Sequence, residues 1–271
     1  MNAFHQLRAA APETSIVKTI GIIKPSTRPG RAEELMVMLP PDIDLYQTNL
    51  EISNGTRAEV EQGLIDMEAK VADMAAHKVD LIHPAGVPPL LLGYEGEQAL
   101  VRRWEKQYGI PVFTNGQSQI DALRAFGAKR VVAASYFRGD INKEFSAYIE
   151  SAGFEVLGIQ GMDVDFQAVP QLEASVIHDF IKAQFDPHRG KADAVYLVGP
   201  AWRRSLDIVE EMEQEFGVPV IHHVPCQSWA IQRILKLHFP VQGYGRLIRE
   251  LPGLQRGAAA QPAAVASHEN F

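Results

Sequence analysis

The stretch ADAVYLVGPA (192–201), followed further on by FGVPVI (216–221), decides the fold, because the chain carries the same pattern twice. The other copy is VDLIHPA (79–85), followed by YGIPVF (108–113). Each copy starts with an apolar run of the length of a buried strand and reaches Pro-Ala where that strand would leave a sheet. A helical pattern follows, closed by a glycine of the kind that caps helices, and then a Gly-x-Pro-Val run. After each copy a Gln-Ser pair (117–118 and 227–228) opens a further helical segment containing an arginine, Arg124 or Arg233. This repetition predicts an α/β protein made of two Rossmann-like parallel-sheet halves. A pseudo-two-fold axis relates the halves, which face each other across a cleft.

Working outward, short apolar runs alternate with helical periodicity along the whole chain. The pattern predicts strands over 19–23, 44–48, 80–83, 112–114, 130–134, 155–160, 194–198 and 218–222. It predicts helices over 57–77, 98–108, 117–126, 140–151, 172–184, 205–216 and 228–236. The first half is expected to take residues 17–114 plus 224–256 and the second 115–223, with flexible tails at 1–16 and 257–271.

The composition removes several classes of function. With 46% hydrophobic and 22% charged residues, the 271-residue chain can bury a core. A net charge of −7 with no lysine- or arginine-rich run argues against a nucleic-acid partner. No segment approaches the roughly 18 apolar residues of a membrane span, and none near the start reads as a signal peptide. The single Cys226 excludes an intrachain disulfide and points to the cytoplasm. No P-loop occurs, and GYGRLIRE (243–250) lacks the preceding strand of a dinucleotide fingerprint. The expected partner is a small-molecule substrate, with no cofactor; homo-oligomerisation stays open.

A set of further segments carries a resemblance: GIIKPS (21–26), FTNGQSQIDALRAFGAKRVVAAS (113–135), DIN (140–142), SLDIVEEMEQEFGVPVI (205–221), SWAIQRIL (228–235) and PVQGYGRLIREL (240–251). Together, and in this order, they resemble the aspartate/glutamate racemase superfamily, in its maleate cis-trans isomerase and arylmalonate decarboxylase branch. The resemblance implies the two-lobed fold read from the repeat, two Rossmann-like halves with the active site in the cleft between them. It also implies catalysis by cysteines on opposite faces of the substrate, or by one cysteine in the decarboxylases. Here the chain departs from the pattern. The first cysteine position falls on Ala85 or Gly86, and the second on Gly199 or Pro200. The turn HPAGVPP (83–89) reads as a thiol-bearing turn without its thiol.

What remains for chemistry is polar but sulfur-poor. The resemblance places carboxylate contacts on the loop with Ser26 and Thr27, which alternatively cap the next helix. It places a substrate-binding tyrosine at Phe137, with Tyr136 and Arg138 beside it. Arg138 could hold a carboxylate or stand solvated. His83, His222 and His223 end the two repeat strands, where a histidine is a general acid or base or a core residue. Adjacent strand residues face opposite ways, so His222 and His223 are not joint metal ligands, and no metal site is inferred. GPAWRR (199–204) adds Pro200, Trp202 and Arg203, an aromatic and a cation suited to an aromatic or anionic substrate. LLLGYEGE (90–97) is expected as a lid carrying Tyr94, and Cys226 as a thiol near a helix N-terminus or an inert core residue.

The candidate proton-transfer groups are therefore His83, His223 and Tyr136. The candidate binding residues are Ser26, Thr27, Ala85, Gly86, Tyr94, Phe137, Arg138, Pro200, Trp202, Arg203, His222 and Cys226. The expected activity is a cofactor-independent lyase that cleaves a carbon–carbon bond of a small organic acid or aromatic substrate, by decarboxylation or retro-aldol release. Isomerisation of an unsaturated acid, binding without turnover, and catalysis by Cys226 alone remain as alternatives.

Overall fold

The computed structural model describes residues 18–26, 32–199 and 202–254. The described strands form two parallel sheets. In the first, β1 (Lys18–Lys24), β2 (Ile43–Asn49) and β3 (Leu81–Pro84) run in the order β2-β1-β3. In the second, β4 (Arg130–Ser135), β5 (Glu155–Gly161), β6 (Ala194–Leu197) and β7 (Val220–Ile221) run in the order β5-β4-β6-β7. The helices are α1 (Ala32–Met36), α2 (Arg57–Ala76), α3 (Gly93–Tyr108), α4 (Asn115–Ala125), α5 (Ile141–Ser151), α6 (Ala174–Phe185), α7 (Val209–Phe216), α8 (His223–Ile234) and α9 (Arg246–Glu250). The sequence of β1 is near-continuously apolar, and so is that of β4, because helices cover both faces of a parallel sheet. Ile20 and Ile23 of β1 and Val131 and Ala133 of β4 are all buried.

The repeat seen in the sequence is a repeat of hydrogen bonds. Gly109 and Gly217 end α3 and α7 in the left-handed conformation, and donate to Glu105 O and Glu213 O. The side chains of the same two glutamates then accept from Val112 N at 3.1 Å and Val220 N at 3.0 Å. Pro111 O and Pro219 O each receive a strand amide, from Ile82 and Val195 respectively, both at 3.0 Å. Each Gly-x-Pro-Val run is thus stitched to the helix before it and the strand beside it in the same way.

This stitching also shortens two expected strands. The run over 112–114 is reduced to a bridge between Ile82 and Val112, and 218–222 to Val220–Ile221. The prolines have no amide to give a ladder, and the next residues already serve helices. Thr114 N-caps α4 in a capping box with Gln117, and His222 N-caps α8. Both helices therefore begin earlier than their apolar periodicity predicts.

Each of these helices leaves the strand run it follows and is hydrogen-bonded into the other half. Gln119 of α4 donates to Leu197 O and Ile221 O of the second sheet, at 2.8 and 3.3 Å. Ser228 and Gln232 of α8 donate to Met38 O, which follows α1, at 2.6 and 3.2 Å. Among the described residues no helix is long and apolar enough to cross a membrane.

Candidate active site

A cavity of about 340 Å³ opens between the ends of β1 and β3 and the segments that follow β4, β5 and β6. Of the sequence candidates, Ser26, Ala85, Tyr136, Phe137, Arg203 and His223 line it. Exposure grades from floor to mouth. His223, Tyr136 and Ala85 are 1%, 2% and 6% exposed, whereas Gln47, Gln167, Gln171 and Arg203 stand in solvent. Between them lie apolar walls: Ile22, Leu35, Ile52, Val60, Val87, Phe137, Phe166 and Pro170.

The loop after β4 is fixed by its own side chains. Ser135 Oγ accepts from Phe137 N at 3.2 Å and donates to Asn142, whose Nδ2 donates back to Phe137 O at 2.8 Å. The Asp-Ile-Asn motif thus holds Tyr136 and Phe137 in place. The Tyr136 ring stacks on Phe137 at 4.7 Å and meets Trp202 edge-on at 5.6 Å. Gly199, with φ +88°, follows β6 directly against this pair: an added Cβ would overlap Tyr136 Oη. The hydroxyl of Tyr136 therefore fills the space beside the second turn, where the family resemblance places a thiol.

On the other side, His223 is the first residue of α8, its ring tilted by 32° against that of His222 with the centroids 4.3 Å apart. His222 itself is a support. Its Nδ1 accepts from Val224 N at 3.2 Å, so its Nε2 carries the proton and donates to Ser205 Oγ at 2.9 Å. Ser205 in turn donates to Trp202 O at 2.6 Å, which ties down the 3₁₀ turn Arg203–Ile208. Trp202, 1% exposed, packs behind Tyr136 and does not line the cavity. At the first turn, Gly86 N donates to Asn115 Oδ1 at 3.0 Å, which leaves Ala85 as the small residue facing the cavity.

Four candidates fall elsewhere. His83, expected as an acid or base, is a core residue. Its Nδ1 donates to Phe113 O at 2.9 Å, its ring stacks on Phe113 at 4.2 Å, and burial pushes its pKa down to about 4. Tyr94 packs edge-on to Tyr148 at 5.8 Å under the Arg124 guanidinium, and its segment begins α3 instead of forming a lid. Arg138 pairs with Asp163 at 3.0 Å over a separate shallow groove. Cys226 is fully buried and does not line the cavity; burial pushes its thiol well above the ordinary range, so it is no ready thiolate. Thr27 and Pro200 lie outside the described residues.

The cover that the sequence did not show is the segment after β5. Phe166, Gln167, Pro170 and Gln171 all line the cavity. Gln167 donates across the cleft to Ser53 O and, at 3.3 Å, to Asn54 Oδ1. The Phe166 ring fits against Gly55, where any side chain would collide with it. No periodic or motif signal marks this irregular stretch. A second overlooked group is Glu97. It is fully buried with the Tyr148 hydroxyl donating to it, and burial pushes its pKa up to about 7. Among the described residues no three His, Cys, Asp or Glu side chains gather as a metal site.

A family model described as arylmalonate decarboxylase matches residues 20–248. The chain belongs to that family. Within this family, in the aspartate/glutamate racemase superfamily, the chain is 25% identical to the arylmalonate decarboxylase of Bordetella bronchiseptica over 86% of its own length and 97% of that protein. It is 23% identical to the maleate isomerase of Nocardia farcinica, covering 86% of this chain and 96% of that protein. Its fold matches a cysteine-to-alanine variant of the maleate isomerase Iso of Pseudomonas putida S16 with maleate. The TM-score is 0.78 at 21% identity, over 86% of this chain and 98% of that one. The family is one of cofactor-independent decarboxylases and isomerases.

Proposed function

We propose that this member of the family is a cofactor-independent lyase that cleaves a carbon–carbon bond of a small organic acid with an apolar or aromatic body. In this reading Tyr136 and His223 move the proton in place of thiols. The observation that carries it is the crowding at Gly199. The tyrosine hydroxyl occupies the room beside the second turn, the first turn carries Ala85, and the chain's one thiol is buried away from the cavity. Cleavage suits this asymmetry better than racemisation, because it needs one proton transfer where racemisation needs two opposed groups.

The bond from the reacting carbon to the leaving carboxylate or aldehyde carbon breaks with its electron pair left on the reacting carbon. That charge spreads into an adjoining carbonyl or aryl group. The Tyr136 phenol then gives its proton to the carbon, and the phenolate regains one from His223 or water; where an aldehyde leaves, His223 first takes the proton of the substrate hydroxyl as the bond breaks and returns it to the phenolate. The buried floor excludes bulk water, which strengthens each polar contact with the developing charge. A maleate-bound relative with the same fold supports an acid as ligand.

Arylmalonates, hydroxy acids and aryl-propanoid alcohols, offered without added cofactor, test the reading. Tyr136→Phe is expected to lower kcat by about 10²- to 10⁴-fold while leaving ligand affinity within a few-fold. Unchanged turnover in that variant contradicts the assignment, and ligand-induced stabilisation with no product from any compound identifies a binding protein instead.

A further inference from the structure

We infer that Arg203 anchors an anionic group at the outer end of the substrate, so that the site selects acids whose charge lies away from the reacting carbon. The inference rests on the cavity reading given above and narrows its substrate class. The chain carries 33 acidic residues against 26 lysines and arginines, yet among the described residues no acidic side chain lines the cavity, whereas Lys24 and Arg203 do. A negatively charged protein whose described lining here holds cations and no carboxylate makes that hollow a place for anions.

The two cations are not equivalent. Lys24 is half-buried at the end of β1 and has an interaction of its own. Arg203 is exposed at the mouth, and among the described residues no carboxylate pairs with it. Its neighbour Arg204 is paired with carboxylates, its Nε 2.8 Å from Asp207 Oδ2 and its Nη1 3.7 Å from Glu173 Oε2. Of two adjacent arginines, the one facing the cavity is left uncompensated. Its backbone is nevertheless mounted firmly, because Trp202 is buried and its carbonyl is held by Ser205 and, through it, by His222.

The grading of the cavity then orients the ligand. Proton-transfer groups lie at the floor, apolar walls in the middle, and a guanidinium with the amides of Gln167 and Gln171 at the rim. A carboxylate at the rim satisfies the guanidinium in its two-pronged geometry. The apolar body spans the walls against Phe137 and Phe166, and the reacting carbon meets Tyr136.

Calorimetry with 3-phenylpropanoate and its neutral isostere 3-phenylpropanamide, at low salt, reads this directly. The expected result is that the protein binds the acid at least about tenfold tighter than the amide. Arg203→Gln is expected to bring the two within about twofold by weakening the acid alone, and Arg203→Lys to restore part of the difference. Arg203 is exposed, so these variants keep the fold. Equal binding of acid and amide by the unaltered protein, no binding of either, or an acid preference that survives in Arg203→Gln overturns the inference. Tyr136→Phe separates the two claims. If that variant keeps both full turnover and an Arg203-dependent preference, the proposed chemistry fails while the anion anchor stands.

Discussion

Glu97 and His83 sit in the same protein interior and are pushed in opposite directions by it. Burial favours the neutral form of each, so the carboxyl rises from 4.5 to about 7 and the imidazole falls from 6.5 to about 4. Between those values the folded state holds a proton on Glu97 that the unfolded chain releases. Stability from this group is therefore complete below pH 4.5 and lost as pH rises through about 7, by about 3 kcal/mol. His83 does the reverse: the unfolded chain takes up a proton that the core refuses, so its contribution is lost as pH falls from 6.5 toward 4. The two slopes oppose each other where they overlap, so the variant, not the raw curve, isolates one of them. Denaturant unfolding of Glu97→Gln against the unaltered protein should show the variant gaining relative stability from pH 5 to 8. A difference independent of pH contradicts a protonated Glu97. Residue identity alone did not separate such groups. Ser26 and Tyr136 were nameable from the family resemblance, and His223 and Arg203 because strand ends and their loops face the cleft, but His83 ends a strand too. Only its carbonyl partner and stacking ring show that it points inward.

The elements that line the cavity differ in how legible they were. The capped helices and buried strands follow from periodicity, glycine and proline placement. The early starts of α4 and α8 follow from capping residues that an apolar pattern does not contain. The irregular segment after β5 has no such signature, and its role rests on partners more than a hundred positions away: Gln167 is 114 residues from Ser53. It reaches across the cleft with a ring against Gly55 and an amide on Ser53 and Asn54, and its Gln167 is exposed. Exposed irregular segments open before the core elements they cover. Gln167→Ala is expected to speed ligand release and raise KM several-fold, with unfolding free energy changed by less than about 1 kcal/mol because the residue is exposed. Stopped-flow ligand release checks this; an unchanged off-rate means the segment is a fixed wall and not a cover.

At the scale of the whole molecule, duplication explains why the fold was readable and the chemistry was not. Two copies of strand, helix and Gly-x-Pro-Val, each stitched by Glu105 or Glu213, are written in local sequence. The site arises where the copies face one another, and there they have diverged: Ala85 at one turn, Gly199 crowded by Tyr136 at the other. That divergence is the central claim, a racemase-type cleft that polarises its ligand with a phenol and an imidazole. The most direct measurement follows the panel acids by NMR in D₂O with the unaltered protein, Cys226→Ala and Tyr136→Phe. The account predicts a cleavage product carrying deuterium at the carbon that lost its neighbour, formed at similar rates by the unaltered protein and Cys226→Ala. In Tyr136→Phe it should form at least about a hundredfold more slowly. Labelled product that persists in Tyr136→Phe and disappears in Cys226→Ala would contradict it.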